Sequence, residues 1–159
     1  MFKRRRVTVA LLTALMALAL LVAAAYVLLP PRQSEQVAVP AAQATPENVI
    51  RTYIRALDAH DCVTAEALVT DDMRSGAKSW CRNVAHLSRV DINRHVVEQL
   101  QDSGRSVHEE VANVPVTFDL DWRLFHNDAS MDEGRTVWGF LLVRDSTSAP
   151  WRVFDQGTG

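Results

Sequence analysis

The chain of 159 residues carries 17 basic and 19 acidic side chains, which gives a net charge of −2. The charge is unevenly placed, because residues 46–159 hold 12 basic and 18 acidic residues, a net of −6. This acidic stretch of 114 residues is the size of one small domain, and its charge argues against nucleic acid as a partner.

An uncharged apolar run extends from Val7 to Leu29, directly behind the basic cluster of residues 3–6. As a helix of about 35 Å it would cross a hydrocarbon core of about 30 Å. The positive-inside rule then predicts a single-pass cell-membrane protein. Residues 1–6 would form a cytoplasmic stub and residues 7–29 a transmembrane helix, with the remainder extracytoplasmic. A signal peptide cleaved after Ala25 is the alternative, and both versions export the C-terminal part.

Residues 30–45 are rich in Pro, Ala and Gln and have no apolar periodicity, so we expect a flexible linker there. The remaining residues, 46–159, form the predicted extracytoplasmic domain.

The domain opens with helices. Thr45-Pro46-Glu47 has a capping residue, a proline suited to the first turn and an acid that complements the helix dipole. Helical spacing then places five residues on one apolar face: Val49, Ile50, Tyr53, Ile54 and Leu57. A second short helix is predicted over residues 63–69, and a third over the segment DDMRSGAKSWC.

After about Leu87 the apolar period changes to two, which predicts strands. The clearest strand has six alternate apolar positions, namely Val114, Val116, Phe118, Leu120, Trp122 and Leu124. Pro115 near its start predicts a bulge or an unpaired edge. RTVWGFLLV and WRVFDQG are the last strands, separated by turns. Helices followed by an antiparallel sheet of about four strands give an α+β fold.

The segment DAHDC, residues 58–62, raises the question of a metal site. Its ligands would be His60, Cys62, Cys81 and His86, but structural zinc prefers cysteines two to four residues apart, and these are 19 apart. Two cysteines in an exported domain more often form one disulfide. We therefore predict a Cys62–Cys81 bond, with free thiols and a metal site as alternatives.

Two carboxylates, Asp119 and Asp121, share one face of the clearest strand, about 7 Å apart. They could form an acid/base pair. However, this face lies opposite Phe118 and Leu120, so we expect the carboxylates to face solvent.

The stretch TYIRALDAHDCVTAEALVTDD resembles the opening helix pair of the NTF2-like superfamily. The resemblance implies a cone, in which two to three helices pack on a strongly curved antiparallel sheet. It also implies several possible activities, because the superfamily includes enzymes and non-catalytic domains.

Within that superfamily, the ketosteroid isomerase branch offers the sharpest test for an enzyme. Tyr53 matches its oxyanion-binding tyrosine, but the stretch MRSGAKSW contains no catalytic base. Gly139 or Phe140 stands where the branch has a strand aspartate. One of three roles survives, so we expect no enzymatic activity, with a lyase or isomerase of the ketosteroid isomerase/SnoaL type as the less favoured alternative.

The resemblance leads to a non-catalytic domain that binds a small apolar ligand or a protein partner in the cell envelope. A ligand inside the cone would contact Tyr53, Phe118, Leu120 and Trp122. The layout of anchor, linker and domain is also similar to VirB8-like and Mce-associated scaffold proteins, which is an alternative function. Predicted partners are the membrane, through residues 7–29, and an envelope protein or a second copy. No cofactor, metal or nucleic acid is expected.

Overall fold

The computed structural model describes residues 2–97, 110–127 and 130–158. The chain divides into two compact units, Met1–Pro30 and Pro31–Gly159. In the first unit, helix α1 comprises Phe2–Leu28, and its side chains are described for residues 11–25. Among the described residues no helix has the length and apolarity required of a membrane span. The predicted span over residues 7–29 therefore finds no support here.

The second unit begins with three α-helices: α2 at Pro46–Asp58, α3 at Cys62–Ala67 and α4 at Arg74–Asn83. A 3₁₀ turn, Asp71–Met73, leads into α4. The predicted start of α2 is confirmed, because Thr45 Oγ1 accepts a hydrogen bond from the amide of Asn48. The five predicted apolar positions of α2 are all buried. Their burial against the sheet stabilises the helix more than its intrinsic propensity does.

An antiparallel sheet of five strands follows, as the α+β prediction requires. The strands are β1 at Val84–Ile92, β2 at Val96–Val97, β3 at Glu110–Trp122, β4 at Gly134–Arg144 and β5 at Arg152–Gly157. Their order is β1-β3-β4-β5, with β2 paired to β3. In β3 and β4 the core face alternates as expected, with Val116 opposite Trp138 and Val114 opposite Phe140. These residues pack against the helices in one apolar core.

The predicted β3 alternation holds up to Trp122 and then fails. Leu124 was expected to be a sixth inward position, but β3 ends at Trp122 and Leu124 is 78 % exposed. The amide of Arg123 instead donates to the carbonyl of Asn83, at the end of α4. The chain therefore leaves the sheet at this point, so the period-two pattern no longer determines which side Leu124 faces.

Pro115 lies in β3 where the neighbouring edge is interrupted, between the end of β1 and the start of β2. Its carbonyl accepts a hydrogen bond from the amide of Asn93. The carbonyl and nitrogen of one strand residue point to the same side, so the missing N–H of Pro115 faces this interruption. The pairing of Pro115 with Gly139 on β4 is retained.

The segment before α2 differs from the expectation of a flexible linker at residues 30–45. The amide of Ser34 donates to the carbonyl of Ala59, and Val37 is buried in the core at 5 % exposure. Its amide also donates to the carboxylate of Asp61. Composition did not indicate this, because one apolar side chain and a few backbone hydrogen bonds leave no periodic pattern.

Candidate functional site

The segment DAHDC forms the junction between α2 and α3. Cys62 and Cys81 are bonded, with their Cα atoms 5.5 Å apart, so the disulfide prediction is confirmed. The bond joins the start of α3 to the last turn of α4. His60 adopts a left-handed φ of 54°, and its ring Nδ1 lies 3.2 Å from the carbonyl oxygen of Cys81. This turn lets the chain reverse direction between the two helices.

Asp61 is a buried structural carboxylate. Desolvation raises its pKa, but hydrogen bonds from the amides of Val37 and Thr64 outweigh that effect, and the net pKa is lowered. The Thr64 amide bond caps α3, and the Thr64 hydroxyl donates to the carbonyl of Val37. Asp61 therefore caps a helix and holds the preceding segment in place.

Metal ligation receives no geometric support from these residues. Across the described ranges, no three His, Cys, Asp or Glu side chains come close enough together to hold an ion. Both thiols are used in the disulfide.

The four residues predicted to line a ligand cavity meet in the packed core. Tyr53, Phe118, Leu120 and Trp122 are all buried, and all belong to the same cluster. The Tyr53 ring meets Phe140 edge to face, with centroids 5.9 Å apart. Burial raises the pKa of Tyr53, and its hydroxyl has no hydrogen-bond partner among the residues the structure describes. These four side chains are packed as core, and three of them, Tyr53, Phe118 and Leu120, are fully buried.

A column of aromatic contacts runs from this core to the surface. The Trp80 ring of α4 lies 6.5 Å from Phe140 and 6.1 Å from both Trp122 and Trp138. Trp122 in turn stacks on His126 at 5.2 Å, with the two rings 14° from parallel. This column links the packed interior to the loop that follows β3.

Neither strand carboxylate, Asp119 or Asp121, is bonded to the Tyr53 hydroxyl. Asp119 pairs with Arg89 and with Arg135, whose Nη1 atom is 3.3 Å from Oδ1. Asp121 is exposed beside His86. Asp119 thus takes part in an ion-pair cluster instead of facing open solvent.

A groove opens at the end of the aromatic column, with a cavity volume of about 670 Å³. One wall is α4 and the other is the loop after β3. The lining residues are Ser75, Lys78, Ser79, Arg82 and Asn83 on α4, and Leu124, Phe125, His126 and Asn127 on the loop. We call this feature the α4 groove. Its volume lies within the roughly 300–1,000 Å³ of small-molecule sites.

Hydrogen bonds join the two walls of the α4 groove at the C-terminal end of the helix. The side-chain Nδ2 of Asn83 donates to Asn127 Oδ1 at 2.7 Å and to Ser79 Oγ at 3.2 Å. Arg123 Nη1 donates to the carbonyl of Arg82 at 3.3 Å. These contacts tie the loop wall to the end of α4.

One wall of this groove has a periodic signal in the sequence. Ser75, Lys78, Ser79 and Arg82 are spaced i, i+3, i+4 and i+7, which places them on one face of a helix. The same helix buries Ala77, Trp80 and Cys81 in the core. The opposite wall was not predictable, because Leu124 fits the strand pattern of β3.

The sequence matches the family model described as Domain of unknown function (DUF4829) over residues 47–157, so the chain belongs to that family. No curated protein matches it. Solved structures include two distant likenesses. One is a SEC-C motif containing protein from Rhodopseudomonas palustris, with 10 % identity, a TM-score of 0.45 and coverage of 74 % of this chain and 81 % of that chain. The other is a calcium/calmodulin-dependent protein kinase type II association domain from Thiobacillus denitrificans, with 12 % identity, a TM-score of 0.43 and coverage of 74 % and 95 %. At these scores neither bears on function, and the NTF2-like cone stays a prediction.

Proposed function

We propose that this member of the DUF4829 family is a non-catalytic binding domain, held at the outer side of the cell membrane by its N-terminal segment. In this proposal the ligand occupies the α4 groove at the surface, and the interior serves as core. The proposal keeps the non-enzymatic role expected from the sequence and moves the binding site away from Tyr53.

The main support for this proposal is the burial of the Tyr53 hydroxyl in the packed core. An oxyanion-binding tyrosine needs room for a substrate oxygen beside its hydroxyl. The Tyr53 hydroxyl is buried without a hydrogen-bond partner in the described part of the chain, and the Tyr53 ring packs edge to face on the fully buried Phe140. A substrate would have to displace core side chains before it reached the tyrosine.

The α4 groove supports a binding role because it combines open space with fixed walls. Polar side chains on α4 face the two exposed apolar residues Leu124 and Phe125 across it. Binding sites are commonly concave regions in which apolar contact supplies affinity and a few polar groups supply orientation.

The disulfide supports the extracytoplasmic placement. Disulfides persist in oxidising compartments and are rare in the cytosol. The basic cluster of residues 3–6 ahead of an apolar run gives the same orientation.

The test uses the full chain in a neutral detergent, examined by native mass spectrometry for a retained small molecule. We expect an adduct that survives in Tyr53→Phe and is lost in the double variant Leu124→Ser/Phe125→Ser. A parallel assay with a Δ5-3-ketosteroid should give no conversion above the buffer rate.

Either of two results would contradict the proposal. One is steroid conversion that disappears in Tyr53→Phe while the fold persists. The other is an adduct that depends on Tyr53 and not on Leu124 and Phe125, because the ligand would then lie in the interior.

A further inference from the structure

The charge of the α4 groove is opposite to that of its domain. Residues 46–159 carry a net charge of −6, yet the described residues that line the groove include two cations, Lys78 and Arg82, and no carboxylate. A basic groove on an acidic surface attracts anions locally, and the surrounding negative charge repels them elsewhere.

The two cations differ in availability. Lys78 Nζ lies 3.7 Å from the carboxylate of Glu66, so part of its charge is already compensated. The exposed guanidinium of Arg82 has no ion pair within the described residues. Guanidinium donors match the two oxygens of a carboxylate, and such charge-assisted hydrogen bonds are stronger than neutral ones.

Hydroxyl donors complete the polar side of the groove. Ser75 and Ser79 share the face of α4 that carries Lys78 and Arg82. Ser79 Oγ accepts from the side-chain Nδ2 of Asn83, so its own hydrogen is free to donate. The polar side of the groove thus presents donors to an incoming oxygen.

The opposite wall carries two large apolar side chains beside His126 and Asn127. Leu124 is 78 % and Phe125 70 % exposed. The His126 ring, stacked on Trp122, continues this wall toward the core. An alkyl or aryl group that covered these side chains would remove apolar surface from water.

We infer that the α4 groove binds a free amphipathic carboxylate, with its head at Arg82, Ser75 and Ser79 and its alkyl or aryl body against Leu124 and Phe125. This inference rests on the proposed function and specifies its ligand class. The groove volume of about 670 Å³ accommodates a molecule of that kind.

The experiment labels the full chain in neutral detergent with 5-fluorotryptophan, which gives one fluorine signal for each of the four tryptophans. The probes are 3-phenylpropionate, its uncharged analogue 3-phenylpropanamide, and propionate, which lacks the ring. We expect 3-phenylpropionate to shift the Trp122 signal saturably and to leave that of Trp151, under Arg144, in place. The amide and propionate should each bind at least about tenfold more weakly.

Variants assign the contacts. Arg82→Gln should weaken 3-phenylpropionate binding about tenfold and weaken amide binding by a smaller factor. Arg74→Gln is the matched control, since Arg74 is an exposed cation on the same helix, paired with Asp71 and outside the groove lining. Phe125→Ser should weaken the acid and the amide alike.

The outcomes separate this inference from the proposed function. Equal binding of acid and amide at Trp122, or equal losses in Arg82→Gln and Arg74→Gln, would overturn the carboxylate inference and leave groove binding intact. Absence of a saturable Trp122 shift at millimolar 3-phenylpropionate would also overturn the inference. Binding that is lost in Tyr53→Phe would overturn both, because it would place the ligand in the interior.

Discussion

Helices α2 and α4 each bury an apolar face in the same core, but their polar faces have different surroundings. The polar residues of α2 are paired within the domain: Glu47 with His95, Arg55 with Glu35 and Asp58 with His86. On α4, the stripe from Ser75 to Arg82 borders open space. Buried apolar faces thus locate the core, whereas a polar face that borders open space locates a candidate site.

Removal of the disulfide should affect α4 most. The double variant Cys62→Ser/Cys81→Ser opens a loop with a sequence separation of 19, and we expect a loss of about 3 kcal/mol in the free energy of unfolding. Chemical denaturation of the full chain measures this loss, and hydrogen exchange should locate faster opening in α4 than in α2. Faster opening in α2 than in α4 would show that the disulfide does not stabilise α4 selectively.

A thiol count on the full-length wild-type chain is the matching control. It should find no free thiol under denaturing, non-reducing conditions.

The ion pair of Glu47 with His95 predicts a pH dependence of stability that is specific to α2. Desolvation raises its pKa, but hydrogen bonds from the backbone and ring of His95 lower it more, to about 2 from the ordinary 4.5. The folded state therefore holds Glu47 ionised, and this stabilisation is present above about pH 4.5 and is lost as the pH falls toward 2. We expect Glu47→Gln to cost about 1–2 kcal/mol at pH 7 and to flatten that acid-side loss.

Denaturation at pH values from 2 to 7 measures the Glu47 effect. Asp71→Asn is the control, because its exposed pair with Arg74 should contribute little. If the free energy of unfolding fell equally with decreasing pH in wild type and in Glu47→Gln, the contact with His95 would not stabilise α2.

The smallest effect is expected at the residue that the family resemblance made most prominent. Tyr53→Phe removes a buried hydroxyl that has no hydrogen-bond partner in the described residues. The free energy of unfolding should therefore change by less than about 0.5 kcal/mol, or the variant should be slightly more stable than wild type. Thermal and chemical denaturation measure the change. A loss above about 1.5 kcal/mol would reveal a hydrogen bond at this hydroxyl and return attention to the interior.

Sequence patterns predicted the parts of the fold that depend on repeated burial. Thr45 and Pro46 identified the start of α2, alternation identified β3 as far as Trp122, and the cysteine count identified the disulfide. These signals are local or periodic, and packing reinforces each of them.

The candidate site depended on contacts that have no period. Arg123 turns the chain toward Asn83, and this turn exposes Leu124 opposite Arg82. Which polar face of a helix stays uncommitted depends on residues distant in sequence, so the groove could not be assembled from spacing alone. The stripe from Ser75 to Arg82 was visible in the sequence, but its facing wall was not.

Residues 34–37 pack against the rest of the second unit, and this contact matters for fragments of the protein. The family match begins at residue 47, and a fragment cut there would lack Val37. It would open an apolar slot in the core and remove one of the amide donors to the Asp61 carboxylate. A recombinant domain meant to keep native solubility should therefore start at Pro31, the first residue of the second unit.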